Sequence, residues 1–439
     1  MSSRQTSSRG HRTSRRAFLG GGLAAASALA SLPLARSAHA AGEGTIRIGM
    51  IGCGGRCSGA AAEALKAGKD VKLVAMFDVF RDRLDSRRDA LKKTYPDQVD
   101  VPDQRAFTDF DGYRHVIDSA DVVLIACASK FHPMYLEAAV QAGKHVFVEK
   151  PHAIDPPGVR RVQAACELAK QKGVSVVSGL QSRFHAGWQE TVQRIHDGQI
   201  GDIVAIQAMF LRGPYGLVPR PQGMPETTYQ FRNWYHFCWL SGDDVTQSLV
   251  HNVDRASWIM KEEMPRWAFG LGGRSSSFGE VYGDMFDHHT VVYEYASGTR
   301  MYALCRTQNG CYDNASDIIM GTKGTCHLGA CRIDGENPWR FAGPHNNPYD
   351  AEQAALIESV RKGQPINCGH YMATSTMVAI LGQIACYTGK AVEWDAALKA
   401  EFQFGPPPEQ ANFEIDPPTR PDPTGNYPLP MPGITKLLG

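Results

Sequence analysis

Several things are scarce in this chain. No acidic residue occurs among its first 40 residues, no apolar run reaches the length of a bilayer, and none of its 11 cysteines stands in a CxxC pair. The missing apolar run excludes an ordinary membrane-spanning protein, since about 20 consecutive apolar residues are needed to cross the hydrocarbon core. The missing CxxC pairs exclude a zinc ribbon or finger. One sign of charge is scarce only locally. The whole chain carries 46 Lys and Arg against 45 Asp and Glu, but the leader takes Arg4, Arg9, Arg12, Arg15, Arg16 and Arg36. That leaves 40 basic against 45 acidic residues beyond residue 40. A body with that acidic balance is not built to bind nucleic acid.

What is present is a chain of 439 residues, 43% hydrophobic, enough for two or three domains with real cores. The leader ends its basic stretch in Ser14-Arg15-Arg16-Ala17-Phe18-Leu19, runs apolar from Gly20 to Leu34, and closes on Ala38-His39-Ala40. Twin arginines, a mild apolar region and a small-residue cleavage pattern read as a twin-arginine secretory signal over residues 1–40. The expected partner of that segment is the twin-arginine export machinery, and the expected location is periplasmic or secreted. Because that route carries folded proteins, a cofactor can travel inside the chain. The cysteines read as buried free thiols, with one or two disulfides formed after export left open.

Beyond the leader, Thr45 to Ile51 has strand character and is followed by Gly52-Cys53-Gly54-Gly55-Arg56-Cys57-Ser58-Gly59. An Ala-rich helical stretch and a second strand, Val71 to Phe77, lead to Asp78. Strand, glycine turn, helix, strand and acid is the Rossmann order. Glycines admit the pyrophosphate, the helix N-terminus stabilises its charge, and the acid binds the ribose hydroxyls. Cys57 stands where the third glycine of GxGxxG would be. Asp78 argues for NAD over NADP, because its charge repels a 2′-phosphate; Arg56, able to offset that repulsion, keeps NADP as the alternative. A further strand, Val122 to Ala126, runs to Ser129 and His132, and another, Lys144 to Val148, ends in Glu149-Lys150-Pro151. In a parallel doubly wound sheet the carboxyl ends of strands line the ligand crevice, which places Gly52, Gly54, Gly55, Arg56, Asp78, Ser129, His132, Glu149 and Lys150 at the cofactor.

Gly52-x-Gly54 with Asp78, then Glu149-Lys150-Pro151, then Gly242-Asp243 and His251 with Asp254 three residues on, resembles the Gfo/Idh/MocA oxidoreductase family. The resemblance spans roughly residues 45–395. It implies an α/β fold: an N-terminal Rossmann domain, placed at 45–173, and a C-terminal α/β domain with a large, mostly antiparallel open sheet, placed at 174–405. It also implies that Lys150 and His251 flank the reacting substrate carbon, and that the chain forms a dimer or tetramer. The chemistry asks for the same residue types. Oxidising a secondary alcohol needs a base for the hydroxyl proton while hydride leaves the carbon. Lys150 beside a cationic ring should have a lowered pKa, and His251 exchanges protons near neutrality. One departure stands out: where family dehydrogenases commonly carry an acid four residues before the histidine, this chain has Gln247, expected to reach the histidine only by a hydrogen bond, with Asp243 or Asp244 as a substitute acid.

Arg232-Asn233-Trp234-Tyr235-His236 is dense in rings and hydrogen-bonding groups, so a carbohydrate subsite is expected from Arg232, Trp234, Tyr235, His236 and Gln247, with Arg183 and His185 as further contributors. His288 and His289 in a strand point to opposite faces, and no metal site is expected. Residues 406–432 hold ten prolines, an extended arm that wraps its own body or a neighbour. The leading functional expectation is an exported oxidoreductase that moves hydride between a tightly held, non-exchanging NAD(P) and a sugar or cyclitol. Two alternatives accompany it: a redox-neutral glycosidase or epimerase acting through a transient keto-sugar, and an inactive sugar-binding protein.

Overall fold

The structure, a computed structural model, describes residues 44–438. The leader, with its twin arginines and its Ala38-His39-Ala40 pattern, lies outside the described residues.

The first layer is a six-stranded parallel sheet in the order β3-β2-β1-β4-β5-β6. Its strands are β1 (Ile46–Ile51), β2 (Val71–Phe77), β3 (Ala106–Phe107), β4 (Val122–Ile125), β5 (His145–Val148) and β6 (Val176–Ser178). β1, β4 and β5 are buried almost throughout, as expected for strands covered on both faces. β6 pairs with β5, so the boundary expected at 173/174 cuts off a strand of the first sheet. The order reverses between β1 and β4, and the crevice outside the carboxyl ends of those strands is where such sheets hold ligands.

The second sheet is mixed and mostly antiparallel, with nine strands ordered β14-β13-β12-β11-β7-β10-β9-β8-β15. These are β7 (Ile203–Arg212), β8 (Trp267–Gly273), β9 (His288–Glu294), β10 (Arg300–Thr307), β11 (Asn314–Gly321), β12 (Gly324–His327), β13 (Arg332–Gly335), β14 (Trp339–Arg340) and β15 (Val392–Glu393). Only β7 and β10 run parallel. One face packs on the apolar helix Gly369–Thr388, nearly every residue of which is buried. The other face carries an uncovered row, with Phe269, Val292 and Tyr302 in cross-strand register and Leu271 beside it. β9 alternates as its sequence pattern demands: His288 faces outward against Asp287, while His289 is buried.

The proline-rich C-terminal segment wraps its own body. Phe413 packs against Phe80, Phe110 and Phe231 with ring centroids 5.5, 5.0 and 5.3 Å away, and Tyr427 is buried against Phe237. All 11 cysteines are free, and only Cys311 is exposed. Among the described residues no helix is long and apolar enough to cross a membrane.

Candidate functional site

One cleft of about 350 Å³ opens along the carboxyl edge of the first sheet and reaches into the second domain. Its first end is the glycine turn. Gly52 has φ +94°, and a Cβ there would lie 2.5 Å from the Ala126 carbonyl oxygen, so only glycine fits. Gly54 and Gly55 are the reverse case: nothing lies within 4 Å of a Cβ built on either. Gly54 caps the helix Gly55–Lys66, whose first turn has no acid and no side-chain cap. Unfilled space, free N–H groups and the positive end of a helix fit a pyrophosphate. Cys57, in the third glycine's place, is fully buried, its thiol near the carbonyls of Ile51 and Leu124, so a small side chain still lets helix and sheet approach.

Asp78 closes the far wall of that turn. Its carboxylate accepts from Cys53 N at 2.7 Å and Phe80 N at 2.9 Å, and burial raises its pKa against those bonds. The remaining lone pairs face the cleft, where ribose hydroxyls would meet them. Arg56 does not turn toward that place. It is held by Glu63 at 2.5 Å and Glu149 at 2.8 Å, lies 3.9 Å from Glu352, and covers the Tyr349 ring at 4.7 Å. The arginine expected to offset the repulsion of a 2′-phosphate is thereby committed to carboxylates. Burial holds Glu149 above the usual carboxylate range against the pull of Arg56, and it pushes Glu352 higher still, with Glu149 adding to that push. Asp78→Ala is expected to weaken binding of NAD about tenfold to a hundredfold, the loss of charge-assisted hydrogen bonds to the ribose. Titration with NAD and NADP side by side checks this, since NADP affinity should change far less.

At the second end, the loop after β5 presents Glu149 and Lys150. The Lys150 Nζ donates to the Gln247 carbonyl at 2.6 Å and lies 3.4 Å from its Oε1. Gln247 Nε2 in turn donates to Ser129 Oγ at 2.9 Å. Ser129 and Gln247 are both buried and stand behind the cleft wall, where they fix Lys150. Gln247 therefore does not reach His251, contrary to the expectation from their four-residue spacing. Residues Val245–Leu249 form a π-helical turn, and its wider register removes the stacking that an α-helix gives to i and i+4. Asp243 and Asp244 do not substitute. Asp243 is bound by Tyr387 and lies 3.4 Å from His289, while Asp244 pairs with Arg212 at 2.7 Å.

His251 lines the cleft with no hydrogen-bond partner for its Nδ1. Burial, with the charges of Lys150 and Arg255, lowers its pKa well below the ordinary value, so the ring is neutral at pH 7. His132 also lines the cleft, its ring nitrogens 2.7 Å from the Pro151 carbonyl and 3.2 Å from that of Cys127, and burial lowers its pKa to about 4.

The aromatic segment divides. Trp234 and Tyr235 line the cleft, stacked on each other at 4.0 Å, with Tyr215 4.6 Å from Tyr235. Arg232, Arg183 and His236, also expected there, are drawn away by acids or burial. Arg232 pairs with Asp82 at 2.8 Å and lies over Phe80. Arg183 is locked between Asp254 at 2.7 Å and Glu262 at 2.5 Å. His236 is buried against a separate small cavity beside Arg274 and Tyr282, and burial lowers its pKa to about 4. Sequence reading missed Arg83 beside Asp78, and Gln181 and Tyr349, which meet across the cleft at 3.1 Å. Nothing local marks those last two, because their elements are 168 residues apart.

Residues 46–180 match a family model described as "Oxidoreductase family, NAD-binding Rossmann fold" of the Gfo/Idh/MocA group, and residues 192–376 match its "C-terminal alpha/beta domain". Among curated proteins, the chain is 27% identical over 337 residues to inositol 2-dehydrogenase 3 of Saccharopolyspora erythraea, covering 73% of this chain and 86% of that one. It is 25% identical over 336 residues to myo-inositol 2-dehydrogenase of Thermotoga maritima, covering 73% and 90%. Among solved structures, an aldose–aldose oxidoreductase from Caulobacter crescentus shares the fold with a TM-score of 0.61 at 17% identity, over 80% of this chain and 99% of that one.

Proposed function

The chain belongs to the Gfo/Idh/MocA oxidoreductase family, and from that membership we propose that it is an exported NAD-dependent oxidoreductase acting on a CH–OH group of a cyclitol or sugar. The observation that carries this reading is the single cleft with Asp78 and the open glycine turn at one end and Lys150, His251, Trp234 and Tyr235 at the other. The two curated relatives named above are inositol 2-dehydrogenases, which supports a polyhydroxylated ring as substrate and does not favour the glycosidase, epimerase or inactive-binder alternatives.

A bound nicotinamide supplies the hydride acceptor and donor. The chain's own residues move the proton and hold the ring. Lys150 exchanges a proton with the substrate oxygen: its amine takes the hydroxyl proton on oxidation, and its ammonium returns it on reduction. The Gln247 carbonyl and Oε1 restrict where that nitrogen can point. His251, neutral and unpartnered at Nδ1, makes the second hydrogen bond to the substrate hydroxyls. The Trp234–Tyr235 stack offers its faces to the apolar C–H surface of the ring.

Export raises a supply problem, since diffusing NAD is scarce outside the cytoplasm. The twin-arginine reading of residues 1–40 answers it if the cofactor is acquired before export and kept. Phe413 of the C-terminal segment packs against Phe80, two residues after Asp78, and against Phe110, both of which line the cleft, and this supports slow exchange. The uncovered Phe269–Val292–Tyr302 row supports pairing of two copies through the second sheet.

Denaturing the purified, exported protein and identifying the released nucleotide tests the reading. Close to one NAD per chain is expected, with its reduction when inositols or aldoses are added. A protein that carries no dinucleotide and binds none when NAD is supplied would overturn it.

A further inference from the structure

Away from the cleft, three loops of the second domain bring His185, Cys331 and His345 together. One ligating atom from each lies within 4.8 Å of the others, and none of the three lines the cleft. We infer that these side chains form a binding site for a divalent transition metal of zinc type, which pins the two segments that carry Gln181 and Tyr349 into the cleft.

The arrangement is built rather than accidental. Asn346 clamps the loop of His345 onto the segment of His185: its Oδ1 accepts from Ala186 N at 2.9 Å, and its Nδ2 donates to the Phe184 carbonyl at 2.8 Å. The two imidazoles are thereby held with ring centroids 5.4 Å apart. Cys331 is a buried residue in the left-handed region, φ +46°, which a non-glycine side chain seldom occupies. That backbone is fixed by Phe341 N, which donates to the Cys331 carbonyl at 2.9 Å. The space between the thiol and His185 is kept free by Gly187, where a Cβ would lie 2.8 Å from Cys331 Sγ and 3.2 Å from His185 Cε1.

Two imidazoles and a thiol are borderline-soft donors, suited to zinc, cobalt or copper rather than to magnesium or calcium. A coordinated ion favours the Cys331 thiolate. Three protein ligands leave a fourth position, on the exposed side of His345, for water. His185 Nδ1 now caps the helix Ala186–His196 by accepting from Trp188 N at 3.1 Å. Coordination through Nδ1 replaces that bond, and coordination through Nε2 moves the ring proton to Nδ1 and ends it. Either way the metal takes over the fixing of this helix end, and binding releases the thiol proton, so affinity rises with pH.

The consequence for the cleft follows from chain positions. Gln181 stands four residues before His185 and Tyr349 four after His345, and Gln181 Nε2 donates to Tyr349 Oη at 3.1 Å. A metal at the triad closes the outer end of the same pair of segments.

The full chain, stripped with a chelator, is titrated with Zn²⁺ and separately with Co²⁺ and read by bound metal per chain and by visible absorption. One ion per chain and a thiolate-to-cobalt charge-transfer band are expected. Cys331→Ser should abolish the band, and His345→Ala, a change at an exposed residue that leaves the core intact, should weaken binding more than about tenfold. Binding that both variants leave unchanged, or a stripped protein that takes up no ion, would overturn the site.

Discussion

Lys150→Met is expected to lower turnover by about a thousandfold or more while leaving the dinucleotide in place. A positioned acid–base group contributes about a hundredfold to ten-thousandfold, and the substitution removes the one lysine amine that lines the cleft among the described residues. Methionine preserves the apolar stem, so the packing around Pro151 is kept. The glycine turn and Asp78 are untouched, and released nucleotide should stay near one per chain. The Gln247 carbonyl loses its donor, which costs about 1–3 kcal/mol of stability for a buried acceptor left unpaired. A melting curve run beside the assay separates that cost from the chemistry. If turnover falls less than tenfold, the proton goes elsewhere, and His251 becomes the first candidate; a comparable loss in His251→Ala alone would then assign the role to it. A protein that merely binds sugars would show no turnover to lose in either form, so the same pair of assays tests the enzyme reading as a whole.

The parts of this site that were legible from sequence are those whose partners are close along the chain or fixed by the fold's connectivity. Gly52, Gly54 and Asp78 are set by one strand–turn–helix–strand unit, and the end of β5 places Glu149 and Lys150 at the crevice whatever the distant chain does. The misreadings have a common cause in long-range pairing. Arg183 and Arg232 looked like ligands for hydroxyls because their acids, Asp254, Glu262 and Asp82, lie 71, 79 and 150 residues away. Arg56 looked free for a phosphate until Glu149 arrived from another strand. Gln247 was misassigned by helical geometry: a spacing of four means a shared face only in an α-helix, and the π turn moved that glutamine from the histidine to the lysine. The 173/174 boundary follows sequence adjacency, whereas β6 joins the first sheet by hydrogen-bonding to β5. The triad at 185, 331 and 345 follows no metal-binding spacing, so only the fold brings it together.

The loop that carries Lys150 should also be the acid-sensitive part of the fold, and His152 is the group that makes it so. Its imidazole is fully buried between β6 and the helix Gly369–Thr388. Thr376 Oγ1 donates its own proton to the Met372 carbonyl at 2.7 Å, so it accepts from His152 Nδ1 at 3.0 Å. Ser178 Oγ accepts from Leu180 N and so donates to Nε2 at 2.9 Å. The neutral ring is satisfied at both nitrogens. Burial first, then the nearby His132 and the Lys150 charge, lower its pKa to about 3. An unfolded chain regains the ordinary value near 6.5. The unfolded state therefore binds the proton first as the pH falls, and the stability that His152 contributes is intact above pH 6.5 and lost progressively toward pH 3. His152→Gln can keep both hydrogen bonds, by donating to Thr376 and accepting from Ser178, but it does not titrate. Denaturant unfolding at pH 7.5 and pH 4.5 should show wild type losing about 3 kcal/mol relative to that variant between the two values. Comparing the two proteins cancels the opposing contributions of buried carboxylates such as Asp284, whose pKa is raised to about 6. An unchanged difference would mean that Ser178 turns its hydroxyl to accept from a charged ring, and that the lysine loop is held equally well with the proton on.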